Sequence, residues 1–68
     1  MEIKKARIAA GFTQQQLAEK MNVDRTAVTK WEIGTAMPTA DKIVKLARVL
    51  GCSVDQLLSV DDAAAANG

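Results

Sequence analysis

Histidine is absent from this chain of 68 residues, and cysteine occurs once, as Cys52. A single thiol cannot close a disulfide, and without a cluster of Cys and His there is no ligand set for a structural zinc. The same gap removes the commonest general base. The chain also offers no nucleophile beside a base, no glycine-rich phosphate loop and no metal-ligand spacing, and it is too short to enclose a sizeable pocket. These absences argue against an enzyme and predict neither cofactor nor metal. No apolar run approaches the length of a membrane span. Met1-Glu2-Ile3-Lys4-Lys5 leads into a helical pattern rather than into the apolar core of a secretory signal. The expectation is a cytoplasmic protein without a membrane partner, its lone thiol kept reduced.

A domain of this size buries only ~60% of its unfolded surface. With no disulfide or metal to compensate, stability must come from well-formed helix packing, with or without dimerisation. Net charge is +1. Setting aside Asp61 and Asp62 leaves six acidic residues against nine basic ones in residues 1–60, a balance of +3. That is mildly basic, so a polyanionic partner must be argued from motif geometry rather than from bulk charge.

The apolar pattern predicts an all-α fold of five short helices, with no β-alternation and no internal repeat. Helix one is expected over Ile3–Ala10, stopped by Gly11, with Phe12 dropping into the core. Thr13 and Gln16 have the spacing of a capping box, so helix two starts at Gln14; it buries Leu17, Ala18 and Met21 and ends at Asn22, which tolerates a left-handed turn. Asp24 is expected to cap helix three, running from Arg25 to Trp31 or Glu32 with Val28 and Trp31 inward. Gly34–Pro38 reads as a loop. Thr39 is expected to cap helix four, whose Ile43, Leu46, Ala47 and Leu50 form one stripe ending at Gly51. Ser53 and Gln56 repeat the capping-box spacing before a last helix carrying Val54, Leu57 and Leu58. The domain is expected to close near residue 60, leaving an acidic, alanine-rich tail over 61–68 that is disordered on its own.

Helices two and three, joined by a tight turn, make a helix-turn-helix, in which the second helix is the one able to enter a major groove. Ala18 lies at their crossing, where a larger side chain would cost ~1–3 kcal/mol by overpacking. With Val28 and Trp31 inward, the helical period turns Arg25, Thr26, Thr29 and Lys30 outward. Arginine can fork onto guanine O6 and N7, lysine can donate to the same acceptors, and threonine offers a hydroxyl and a methyl. Arg25 is the first choice for reading sequence.

Gln14, Ala18, the turn at Asn22, Val28, Trp31-Glu32-x-Gly34 and Pro38 together resemble the Cro and phage-repressor type of helix-turn-helix, the XRE family. Leu50-Gly51-Cys52-Ser53-Val54-Asp55-x-Leu57-Leu58 resembles the closing helices of the same family, so the likeness covers nearly the whole chain. It implies a compact lambda-repressor-like domain that binds double-stranded DNA in a bacterial or phage setting. It implies base contact at Arg25, a role for Gln14 in touching a phosphate or supporting the recognition helix, and an ion pair between Arg7 and Glu32. Ile33 departs from the polar residue usual in the family, which shifts the expected phosphate hydrogen bonds to Thr35 and the main chain of the Gly34–Pro38 loop. Asn22 replaces the more usual glycine.

Two functions fit this reading. One is a transcriptional regulator, a repressor, acting as a homodimer on a palindromic operator, with Val54, Leu58 and Val60 at the dimer interface. The other is a protein-interaction module or antitoxin-like partner on the same fold, motivated by Ile33, Met37 and the acidic tail. Cys52 is read as a small buried hydrophobe.

Overall fold

The computed structural model describes residues 1–58. Five helices follow one another: α1 (Ile3–Ala9), α2 (Gln14–Met21), α3 (Arg25–Ile33), α4 (Ala40–Leu50) and α5 (Val54–Leu58). Among the described residues there is no strand, and the fold is all-α. Val60 and the tail over 61–68 lie outside the described residues, as does the expected domain end near residue 60.

The stops act through local backbone chemistry. Gly11, Gly34 and Gly51 all have positive φ, and Asn22 takes the left-handed conformation at φ 59 and ψ 45. An asparagine can do this because its short polar side chain lessens the penalty other L-residues meet there. The turn after α2 is closed by the Val23 N–H donating to the Ala18 carbonyl at 3.0 Å. Both capping boxes are present. Thr13 Oγ1 accepts from the Gln16 N–H while Gln16 Oε1 accepts from the Thr13 N–H, at 3.0 and 2.9 Å. Ser53 and Gln56 repeat the exchange at 3.0 and 2.8 Å.

Two expected caps differ. Asp24 and Thr39 hold the N-cap positions of α3 and α4, yet neither side chain caps a backbone N–H. For Thr39 the reason is a competitor two residues on: its hydroxyl donates to Asp41 Oδ1 at 2.6 Å. Asp41 is the acidic residue of the first turn of α4, where the Thr39 hydroxyl and nearby backbone N–H groups favour its ionised form. Those contacts, the Thr39 hydroxyl foremost, hold the Asp41 carboxyl below its ordinary range. At α3 the Asp24 carbonyl accepts from Ala27. Helix three also runs to Ile33, one residue past the expected end, because Gly34 rather than Glu32 ends it.

The core is one cluster: Ile3 from α1, Leu17, Ala18 and Met21 from α2, Val28 and Trp31 from α3, Leu46, Ala47 and Leu50 from α4, and Leu57 from α5. Phe12, Ile43, Val54 and Cys52 are partly buried against it rather than enclosed. The Glu2 N–H donates to the Leu57 carbonyl at 2.8 Å, so α5 closes back onto the start of α1. What this arrangement achieves for function is to bury the rear of α3 while leaving its front in solvent.

Candidate nucleic-acid interface

Helix α3 is sorted by the arithmetic of its own period. Val28 and Trp31 are buried, Ala27, Thr29 and Glu32 are half-buried, and Arg25, Thr26, Lys30 and Ile33 are exposed. At about 100° per residue, the four exposed positions fall within about 140° of arc. They form one contiguous face, and no hydrogen bond or ion pair within the described residues engages the side chains of Arg25, Thr26 or Lys30.

The rear edge of α3 is tied to the rest of the molecule by polar contacts that span long stretches of sequence. Arg7 is buried and spends all three guanidinium nitrogens: Nε donates to Glu32 Oε2 at 2.6 Å, Nη2 to Glu32 Oε1 at 3.3 Å, and Nη1 to the Phe12 carbonyl at 2.8 Å. The two side chains of this ion pair are 10% and 4% exposed, so almost no water screens it. The fork geometry fixes an orientation as well as a distance. Gln14, the first residue of α2, adds a third member by donating from Nε2 to Glu32 Oε1 at 2.9 Å. Its Oε1 accepts from the Thr29 hydroxyl at 3.0 Å. Helices α1, α2 and α3 therefore meet at one carboxylate.

The sequence-predicted residues thus separate. Arg25, Thr26 and Lys30 stand together on the exposed face, and Arg7 and Glu32 lie behind it as a buried pair. Gln14 and Thr29 sit between, half-buried, with their polar groups turned toward each other. Thr35 is exposed beyond the end of α3. The loop main chain is less available than expected, because the N–H groups of Gly34, Thr35 and Ala36 converge on the Lys30 carbonyl at 2.9, 3.0 and 3.4 Å. Gly34, at φ 95, turns the chain so that these donors fold back on the helix end. Of the two groups expected from Thr35, the hydroxyl is the one left over.

Sequence reasoning missed the double use of the Gln14 amide and the Arg7 bond to Phe12. A signal for the first existed in the type of residue: a glutamine opening α2 can donate and accept at once. At the far end of the chain, Val54 is half-buried and Leu58 is exposed, while Val60 lies outside the described residues. Ile33 and Met37 are 68% and 69% exposed. Among the described residues no group of His, Cys, Asp and Glu could hold a metal ion, and no helix is long and apolar enough to cross a membrane.

Comparison with known proteins matches residues 3–57 to a family model described as helix-turn-helix. The chain is 34% identical to the HTH-type transcriptional regulator ImmR of Bacillus subtilis over 96% of its own length and 51% of that protein. It is 33% identical to the HTH-type transcriptional activator BcrR of Enterococcus faecalis, over 90% of its length and 30% of that protein. A third relative is the cryptic phage CTXphi transcriptional repressor RstR of Vibrio cholerae, 37% identical over 75% of this chain and 46% of the repressor. The chain spans about half the length, or less, of these curated relatives. No solved structure matches at the same level of significance. A family match that starts at Ile3 and ends at Leu57, over the same five helices that carry the buried pair and the exposed face, places this chain in the XRE family of helix-turn-helix proteins.

Proposed function

We propose that this protein is a sequence-specific DNA-binding transcriptional regulator that reads a major groove with the exposed face of α3. The observation that carries the reading is that face itself: Arg25, Thr26 and Lys30, unengaged within the described residues, on a helix whose rear is held by the Arg7–Glu32 pair. Arg25 reads guanine bidentately from the N-terminal end of the helix, which is the end that reaches base edges in this docking geometry. Lys30 and Thr26 contribute a donor and a hydroxyl alongside it. Gln14 and Thr35 meet phosphates, which fix register without reading sequence. The ion pair orients the helix more than it stabilises the fold, since desolvation offsets much of its Coulomb gain.

The regulator acts as a repressor, dimeric on a palindromic operator with half-sites about one helical turn, ~34 Å, apart. The phage relative named a transcriptional repressor supports this role. Val54 and Leu58 on α5, with Val60 beyond the described residues, form the dimer contact; the 43% exposure of Leu58 supports this. The protein acts in the cytoplasm, where its DNA is.

A second reading is favoured by one observation, the exposed apolar side chains of Ile33 at the end of α3 and Met37 in the loop that follows. On that reading the fold is an interaction module for a protein partner, and DNA contact is secondary. Selection of the purified chain from a pool of randomised duplex DNA at near-physiological salt separates the two. An enriched inverted repeat, lost in the Arg25→Ala/Lys30→Ala double variant, is the expected result. Enrichment no greater than that of the double variant would overturn the DNA reading and favour the interaction module.

A further inference from the structure

Thr29 sits on the outward side of α3 by period, and its residue type suits a base contact, yet its hydroxyl is already committed. Oγ1 lies 3.0 Å from Gln14 Oε1 and 3.2 Å from the Arg25 carbonyl. Both are acceptors, so the one hydroxyl proton is shared between groups of the protein itself. The amide of Gln14 is then fully determined. Glu32 Oε1, 2.9 Å away, is a carboxylate oxygen and can only accept, so the amide nitrogen must face it; the amide oxygen must face Thr29. One N–H of Nε2 goes to Glu32. The second has no partner among the described residues.

We propose that Thr29 is a positioning residue rather than a reader of bases: its hydroxyl locks the Gln14 amide so that the second Nε2 N–H is presented to a DNA phosphate. The proposal rests on the DNA-binding reading above. Without Thr29 the amide still has Glu32 to donate to, but nothing fixes its rotation about that bond. Glu32 cannot supply the lock, since its Oε1 also receives Arg7 Nη2 and its Oε2 receives Arg7 Nε. A phosphate carries no sequence information, so the effect of Thr29 falls on affinity for all duplexes alike and not on base preference.

The experiment is a titration of the full chain with two duplexes, the one enriched from the randomised pool and one of mixed sequence. It uses Thr29→Val, which keeps the shape and removes the hydroxyl, Thr29→Ser, which keeps the hydroxyl, Gln14→Ala, and Gln14→Ala/Thr29→Val. Thermal melting of each variant confirms that it is folded. Loss of one oriented hydrogen bond predicts weakening by Thr29→Val of about 3- to 10-fold. The loss should be equal on both duplexes, base preference should be unchanged, and Thr29→Ser should bind like the parent. The double variant should bind no more weakly than Gln14→Ala, because the two residues act as one unit. Three results overturn the proposal while leaving the DNA reading intact: no loss with Thr29→Val, a changed preference at a single base pair, or losses from the two single variants that multiply. Failure of the parent chain to bind either duplex would instead remove the reading on which the proposal rests, and the proposal with it.

Discussion

The helix-turn-helix, α2 and α3, and the closing pair, α4 and α5, share one apolar core, but the first adds a network of directed polar contacts to it. Behind α3 a chain of directed polar contacts runs from the Phe12 carbonyl through Arg7, Glu32 and Gln14 to Thr29, linking three helices. Helices α4 and α5 dock through Leu46, Leu50 and Leu57, and the side-chain hydrogen bonds of Thr39 to Asp41 and of Ser53 with Gln56 are local ones. Apolar burial is non-directional and scales with area, so it holds helices together without choosing their rotation. A bidentate ion pair chooses rotation and contributes little net energy. The half that carries the candidate interface is the one whose orientation directed contacts fix, while both halves supply the burial on which folding depends.

The strongest way to break this contrast is Glu32→Ala. It leaves Arg7 buried and uncompensated and should cost about 3–5 kcal/mol in urea denaturation. Replacing both partners, Arg7→Met with Glu32→Leu, should return most of that stability yet fail to restore DNA affinity. If the double variant bound DNA like the parent, orientation would not be the role of the pair. Next comes Leu46→Ala in the closing pair, expected to destabilise by about 2–5 kcal/mol through the cavity it leaves. Its folded fraction should keep the base preference of the parent, measured by selection from the same DNA pool. A shifted preference would mean that α4 also sets the angle of α3.

On the exposed face, Arg25→Ala should leave the melting temperature nearly unchanged. It should cost about 1–3 kcal/mol of binding, with preference relaxed at one base pair. The smallest effect is expected at Asp41, whose side chain is exposed. The Thr39 hydroxyl, then backbone N–H groups and Lys42, lower its carboxyl pKa in the folded state. A lowered folded value means that the contribution of Asp41 is present above the ordinary carboxylate range and is lost as pH falls through the lowered value. The melting temperature of the parent should therefore fall slightly more steeply in acid than that of Asp41→Asn. Superimposable pH profiles would show that these groups do not favour the Asp41 carboxylate in the folded state.

Much of the fold was legible because the signals are local. A capping box needs residues three apart, and a stop needs one residue that tolerates positive φ. The core stripe of α4 needs only the period of a helix. Thr13 with Gln16, Asn22, Gly51, and Leu46 with Leu50 could be read on that basis. The exposed positions of α3 followed from the same period once Val28 and Trp31 were set inward. Asp24 and Thr39 take the N-cap positions as expected, but without the side-chain bond, since capping preference names the residue type and not its competitors; at Thr39 a carboxylate two residues away took the hydroxyl.

The amino-acid sequence by itself determined five helices, the stops of the first four, and which side of α2, α3, α4 and α5 is apolar, since these depend on neighbours within a turn or two. Only the tertiary structure decided what the polar groups behind α3 do. Gln14 is 18 residues from Glu32 and 15 from Thr29, and Arg7 is 25 from Glu32. The family resemblance implied the last of these pairs, but no local pattern specifies that one glutamine will donate to a carboxylate and accept from a threonine at once. That outcome depends on where the packed core brings α1, α2 and α3 together, and on the rule that a buried polar group takes whichever partner the packing puts within reach.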